Sequence, residues 1–257
     1  MKLLKKYIQL HQKQNHQESN IMVEFSVNRK MFNKFLKCIS VGLVEANLEV
    51  LSSRLHIRGK DSANICIVDV TYFDEFNVVN EGNFMIDINK LNNILHKATD
   101  ETVYFKTNKQ KLLIECGKLN AELVLYKNNS KPVPDINIPV SVDIDLNSSQ
   151  FANAINSINK LAEKLTIITT NEQVTITITN NDDCYEWGID MINVNGSCDN
   201  IITSSYPYDY ISEMGNVISM FDSFNLKYGN DIPFIIKCCD DNFEVEYILA
   251  PRIVSGD

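Results

Sequence analysis

The chain has 257 residues, a hydrophobic fraction of 44% and a net charge of −9. Its length suits one large domain or two of ordinary size, and its apolar content excludes a disordered class. No apolar run approaches the ~18 residues that a membrane span needs, and the acidic total argues against a protein that coats nucleic acid with its general surface.

Residues 1–21 are predicted to be an N-terminal extension. The segment begins with basic residues, but Lys5, Lys6 and Gln9 interrupt its apolar part. It therefore lacks the continuous hydrophobic region of a signal peptide. We expect a mobile, weakly helical segment, with Met22 near the start of the fold.

The remaining chain is predicted to contain the same unit twice. A first domain over 22–127 opens with a short alternating strand, Asn28 at a helix-cap position and an amphipathic helix, and a second helix covers 87–98. A second domain over 141–257 repeats this order. Equivalent positions lie 119 to 121 residues apart, for example Asn28 and Asn147, Phe32 and Phe151, Ile39 and Ile158, and Leu91 and Ile211. Such a constant spacing indicates an internal duplication.

Each half is predicted to have two helices and about eight short alternating strands, which gives an α+β fold with the helices on antiparallel sheet. The segment 128–140 joins the halves. It contains Pro132 and Pro134 with polar neighbours and no periodicity, so we expect an extended connector.

The exposed faces of the first three helices are predicted to be basic or neutral, although residues 135–257 carry a net charge of −14. Solvated helices usually mix charges of both signs. One interpretation is an ordinary solvated face, and the other is a shared surface that contacts phosphates. The residues concerned are Lys30, Lys34, Lys37, Lys90, Lys97, Asn153, Asn156, Lys160 and Lys164. The fourth helix departs from this pattern, because it shows Asp209 and Glu213 opposite its apolar stripe.

The last predicted strand covers Val245–Leu249 and is followed at once by Ala250 and Pro251. Proline cannot donate a hydrogen bond to a sheet, so the chain either stops there or leaves the sheet for another purpose.

Catalytic and metal-binding patterns are weak in this sequence. It has no phosphate-binding glycine loop, no serine nucleophile motif and no Cys/His spacing of a zinc site. Asp182–Asp183 and Asp240–Asp241 fall where hairpin turns are expected, which accounts for them without a metal. Seven scattered cysteines indicate reduced thiols in an intracellular compartment. We expect no cofactor, no metal and no catalytic activity.

Three stretches together resemble sliding clamps of the proliferating cell nuclear antigen (PCNA) type. They are "LHIRGKDSANICIVDV" (55–70), "VPD" (133–135) and "GNDIPFIIKCCDDNFEVEYILAPRI" (229–253). The resemblance covers residues 22 to about 254. It implies the DNA-clamp fold, a homotrimeric six-domain ring around double-stranded DNA, and helices that line the hole. It also implies docking of DNA polymerase and other proteins that carry a clamp-binding peptide, an ATP-dependent clamp loader, and no membrane.

The resemblance also implies a docking pocket and a subunit interface. The pocket positions are Ile65, Ile67, Val133, Pro134, Pro233, Ile248, Ala250, Pro251 and Arg252. Lys60 and Ile248 depart from the residues usual in the family. The interface positions are Leu123 and Leu125 in one edge strand and Trp187 in another, although Trp187 is equally compatible with a plain core position.

Two alternative functions stay open from the sequence. One is a clamp-like transcription or checkpoint factor in a mixed ring, and the other is a metal-dependent nuclease that uses the paired aspartates. The expected location is intracellular and reducing, in the nucleus of a eukaryote or in the cytoplasm for an archaeal or viral protein.

Overall fold

The structure is a computed structural model, and it describes residues 22–74, 76–108, 110–127, 132–157, 164–170, 174–180, 183–194 and 201–252. The predicted extension 1–21, Lys160 and Asp182 lie outside these residues. No helix in the described ranges is both long enough and apolar enough to span a membrane.

Four helices and eighteen strands make up the described part of the chain, and every strand pairing is antiparallel. The helices are α1 (Arg29–Ile39), α2 (Ile88–Leu95), α3 (Ser148–Asn156) and α4 (Tyr208–Ile218). The first half contains β1 (Glu24–Asn28), β2 (Glu45–Leu51), β3 (Arg54–Lys60), β4 (Cys66–Phe73), β5 (Asn77–Asn80), β6 (Gly82–Asp87), β7 (Thr102–Asn108), β8 (Lys111–Cys116) and β9 (Leu119–Val124). The second half contains β10 (Val142–Asn147), β11 (Lys164–Thr169), β12 (Val174–Asn180), β13 (Asp183–Ile189), β14 (Met191–Val194), β15 (Ile202–Pro207), β16 (Ser223–Tyr228), β17 (Phe234–Cys239) and β18 (Phe243–Leu249). The predicted α+β class is confirmed.

Both halves begin with the same strand-to-helix unit, because the same residue type caps the helix. The side chain of Asn28 accepts hydrogen bonds from the backbone N–H groups of Lys30 and Met31, and Asn147 accepts one from Gln150. An asparagine at this position satisfies N–H groups that the first helical turn leaves unpaired. The asparagine caps predicted from the repeat are therefore confirmed.

Two helices are shorter than the sequence predicts. The second helix ends at Leu95, and the third ends at Asn156 with Ser157 as its cap. Lys164, predicted on the third helix, is instead the first residue of β11, where the β-branched run that follows it favours a strand. That placement on the helix was wrong.

A nine-stranded sheet connects the two halves. Its order is β14-β10-β16-β17-β18-β4-β3-β2-β6, and the halves meet where β18 pairs with β4. A five-stranded sheet, β5-β1-β7-β8-β9, belongs to the first half, and a four-stranded sheet, β13-β12-β11-β15, belongs to the second. The final strand thus lies inside the subunit, where its alternate residues Phe243, Val245 and Tyr247 are buried in the core.

Candidate functional site

The outward face of the nine-stranded sheet carries an apolar row near the end of the last strand. Across neighbouring strands, Lys60 is opposite Ile67, Ile67 is opposite Ile248, and Ile248 is opposite Ile235. Directly opposed residues in an antiparallel sheet point to the same face. We call Ile67, Ile248 and Ile235 the isoleucine row. Ile248 is 6% exposed, and the other two are partly buried.

The connector is tied to the same face by Arg58. Its guanidinium donates to the backbone carbonyl of Pro134 at 3.3 Å and lies 3.2 Å from a carboxylate oxygen of Asp135. A second ion pair joins Arg58 to Asp69 on the neighbouring strand, and Asp69 also contacts His56 at 2.9 Å. Because the Asp135 side chain is fully exposed, its pairing contributes little stability. The contacts of Arg58 nevertheless place the connector above β3 and β4.

A cavity of about 690 Å³ opens beside the connector, and we call it the connector cavity. It lies where β2 and β3 separate, since their pairing stops at Glu49 and His56 although both strands continue. Its walls are Gly42 to Asn47, Arg58 to Ser62, Asn64, Met85, Pro132 and Val133. Lys60 lines this cavity and lies opposite Ile67 across the sheet, so the cavity and the isoleucine row are adjacent.

The nine predicted pocket residues fall into two neighbouring groups. Val133 lines the connector cavity, and Pro134 is the exposed residue held by Arg58. The others lie around the end of β18, where the Ala250 N–H donates to the Ile65 carbonyl and the Arg252 N–H to the Ser205 carbonyl, both at 2.8 Å. Pro233 directly precedes β17, next to the pairing of Phe234 with Leu249. The strand β18 therefore ends at Leu249, and the tail connects the residue that precedes β4 with β15.

The turn between β3 and β4 is organised by one buried carboxylate. Asp61 is 4% exposed and accepts backbone hydrogen bonds from Ala63, Ile65 and Cys66. Its fourth donor is the Tyr210 hydroxyl from α4, at 2.7 Å. Burial by itself would raise the pKa of Asp61, but these donors stabilise the carboxylate, and its pKa lies below the ordinary value.

The two predicted interface strands are both at sheet edges. Among the described strands, β9 pairs only with β8, and β13 pairs only with β12. Leu123, Leu125 and Trp187 are partly buried and pack against the core from these edges. The exposed backbone of β9 and β13 is open to pairing with another chain.

Three of the predicted phosphate-contacting lysines are exposed on or beside the helices. They are Lys30, Lys37 and Lys97, and within the described ranges no ion-pair partner is found for them. Asn153 and Asn156 are likewise exposed on α3. These five residues therefore form exposed positions on or beside the helices that are either neutral or basic.

Two other lysines of the predicted set, Lys34 and Lys90, have partners within the chain. Lys34 lies 2.6 Å from the Asp240 carboxylate, and its ammonium sits over the rings of Phe221 and Phe243 at 4.3 and 4.6 Å. It joins α1 to the second half of the chain. Lys90 donates to the Tyr126 hydroxyl at 2.7 Å and pairs with Asp87 at 3.0 Å. Both ammonium groups therefore have hydrogen-bond or ion-pair partners within the chain.

The paired aspartates are the basis of the nuclease alternative. Asp240 is a turn residue, since its carboxylate accepts from the N–H groups of Asn242 and Phe243 and pairs with Lys34. Among the described residues, no group of three or more His, Cys, Asp or Glu side chains is placed to hold a metal ion.

Known proteins share this arrangement over nearly its whole length. No protein-family model matches the chain. A DNA polymerase sliding clamp of Methanoculleus marisnigri is 23% identical over 252 residues, which covers 90% of this chain and 99% of the relative. PCNA of Thermococcus kodakaraensis has a TM-score of 0.77 at 18% identity, with 90% of this chain and 100% of that chain covered. The chain is therefore similar over nearly its whole length to sliding clamps of the PCNA type, and it shares their fold.

A further PCNA structure includes a partner segment. It is the C-terminal region of FEN-1 bound to A. fulgidus PCNA, and that clamp has a TM-score of 0.76 and 21% identity to this chain, with 91% of this chain and 100% of that chain covered.

Two contacts at this site are not predicted by the sequence. Arg58 lies within the stretch 55–70, but nothing local indicates that it contacts the connector. Tyr210 fits an amphipathic helix, and no periodicity points to its bond with Asp61. Both side chains act across long sequence separations, so no local signal could have identified them.

Proposed function

We propose that this chain is a DNA sliding clamp, a homotrimeric ring that encircles duplex DNA without sequence preference and increases the processivity of a DNA polymerase. The observation that carries this proposal is the pair of open edge strands, β9 in one half and β13 in the other. Head-to-tail pairing of β9 with β13 of a neighbouring subunit closes a ring and covers both of these edges. Residues 22–127 and 141–257 would be its two clamp domains, with 128–140 as the connector and no catalytic activity of its own.

Docking of partner proteins is proposed at the isoleucine row and the connector cavity. An apolar row next to a cavity suits a helical turn with aromatic anchors. Partners would include DNA polymerase and other proteins with a clamp-binding peptide, and an ATP-dependent clamp loader. The protein would work in a reducing intracellular compartment, in the nucleus of a eukaryote or in the cytoplasm for an archaeal or viral protein.

DNA contact is proposed through Lys30, Lys37 and Lys97, supported by Asn153 and Asn156. Replacing the three lysines by glutamine is expected to weaken binding to duplex DNA equally for all sequences. It should also flatten the salt dependence, and the slope should fall by about one for each phosphate that a lysine no longer neutralises. Fluorescence anisotropy with labelled duplexes at several salt concentrations measures both effects.

A charge-matched control separates the helices from the general surface. Replacing Lys60, Lys111 and Lys237 by glutamine removes the same charge from strands β3, β8 and β17. This variant is expected to keep most of the original salt slope. Equal weakening in the two variants would contradict a DNA surface on the helices.

A further inference from the structure

We propose that Tyr210 on α4 is a positioning residue for the docking site, because it holds two walls of the connector cavity in place. The role rests on the proposed docking function. Tyr210 belongs to the second half of the chain, whereas Gly42, Asp61, Ser62 and Asn64 of the cavity belong to the first. The docking site would then depend on a contact between the two halves of one subunit.

The first wall is the turn that follows β3. The Tyr210 hydroxyl donates a hydrogen bond to one oxygen of Asp61. The same carboxylate accepts hydrogen bonds from the backbone N–H groups of Ala63, Ile65 and Cys66. Hydrogen bonds to an ionised group are stronger than neutral ones. In the same turn, Asn64 has a positive φ of 59°, a left-handed conformation that asparagine adopts more readily than other non-glycine residues. The Tyr210 hydroxyl therefore adds a fourth hydrogen bond to the carboxylate that holds this tight turn.

The second wall is the segment after α1. Gly42 has φ of +70°, and a Cβ atom there would lie 3.1 Å from Cε1 of Tyr210 and 3.5 Å from Cβ of Asp61. The tyrosine ring thus packs directly on the glycine backbone. One helical turn later, Glu213 accepts a hydrogen bond from the Gly42 N–H at 3.3 Å. This acidic residue, which departs from the basic pattern of the other helices, has a partner in the first half.

Both walls consequently meet at the same side chain. The ring of Tyr210 packs against the Gly42 segment, and its hydroxyl binds the Asp61 turn. The position of α4 therefore sets the distance between these two walls of the connector cavity. Three backbone donors to Asp61 remain when the hydroxyl is removed. We expect the turn to stay folded but to be less restricted, and a bound peptide then has to order it.

The test is Tyr210→Phe, which keeps the ring and removes only the hydroxyl. Affinity for a labelled peptide with two aromatic anchors is expected to fall about fivefold, the effect of one modest hydrogen bond. Amide hydrogen exchange of Ala63, Ile65 and Cys66 should accelerate in the free protein, while the solution mass stays unchanged. Tyr104→Phe, at a tyrosine on β7 that is 55% exposed, is the matched control and should alter neither quantity.

A double-mutant cycle tests whether the effect passes through Asp61. In an Asp61→Asn background, Tyr210→Phe is expected to cost little more. Unchanged affinity and exchange in Tyr210→Phe would overturn the positioning role while leaving the docking function intact. If the unmodified chain bound no such peptide, the docking function would fail, and the positioning role with it.

Discussion

Replacing Val124 by proline is expected to convert the proposed ring into monomers. The N–H of Leu125 donates to the carbonyl of Gln110, just before β8, so in the alternating antiparallel pattern the N–H and C=O of Val124 point toward the open edge of β9. Val124 is 69% exposed, and proline there removes an outward donor without breaking the ladder with β8. The missing backbone hydrogen bond contributes about 1 kcal/mol, and proline also disturbs the approach of the neighbouring strand.

Light scattering over a range of protein concentrations measures this change. The concentration at which half of the protein is assembled should rise by at least about tenfold. Val124→Ala keeps the N–H group and is the matched control, expected to assemble like the unmodified chain. If the proline variant kept the full mass of the ring at the same concentrations, β9 would not be a subunit interface.

Removing residues 250–257 is expected to abolish peptide docking while leaving the assembly intact. The deletion eliminates the hydrogen bonds from Ala250 to Ile65 and from Arg252 to Ser205, which hold the tail between β4 and β15. The strand β18 ends at Leu249 and keeps its pairing with β4 and β17. A peptide that binds the unmodified chain at about micromolar Kd should show no binding at about 100 µM.

A shorter deletion provides the control for this result. Removing only residues 253–257 preserves both backbone hydrogen bonds, and we expect it to retain most of the affinity. Titration calorimetry gives the affinities, and light scattering checks the mass of each variant. Full affinity after the longer deletion would show that the tail is not part of the docking surface.

Sequence patterns predict those helices and strands that are determined by residues close together in the chain. The asparagine caps at Asn28 and Asn147 act within three residues, and the alternation of Val245 to Leu249 follows from the period of a strand. The duplication then places the remaining elements, because a repeated spacing carries information about the whole chain. The proline after the last strand correctly indicates where the chain leaves the sheet.

The contacts that define the site connect distant positions, and periodicity does not reveal them. Tyr210 and Asp61 are 149 residues apart, and Lys34 and Asp240 are 206 apart. A helical pattern shows which residues face outward but not what lies opposite them. For that reason the sequence predicts phosphates as partners of Lys34, which pairs with Asp240, and an unfavourable charge at Glu213, which accepts from Gly42.

Retention on DNA of different topology tests encirclement most directly. The protein is incubated with nicked circular plasmid, together with a clamp loader and ATP, and is then passed through a sizing column at high salt. A ring that encloses the duplex is expected to stay with the circular plasmid and to be released when the plasmid is cut once, since salt screens the lysine contacts but does not open the ring. Equal retention on circular and linear DNA, or equal release from both, would contradict a sliding clamp.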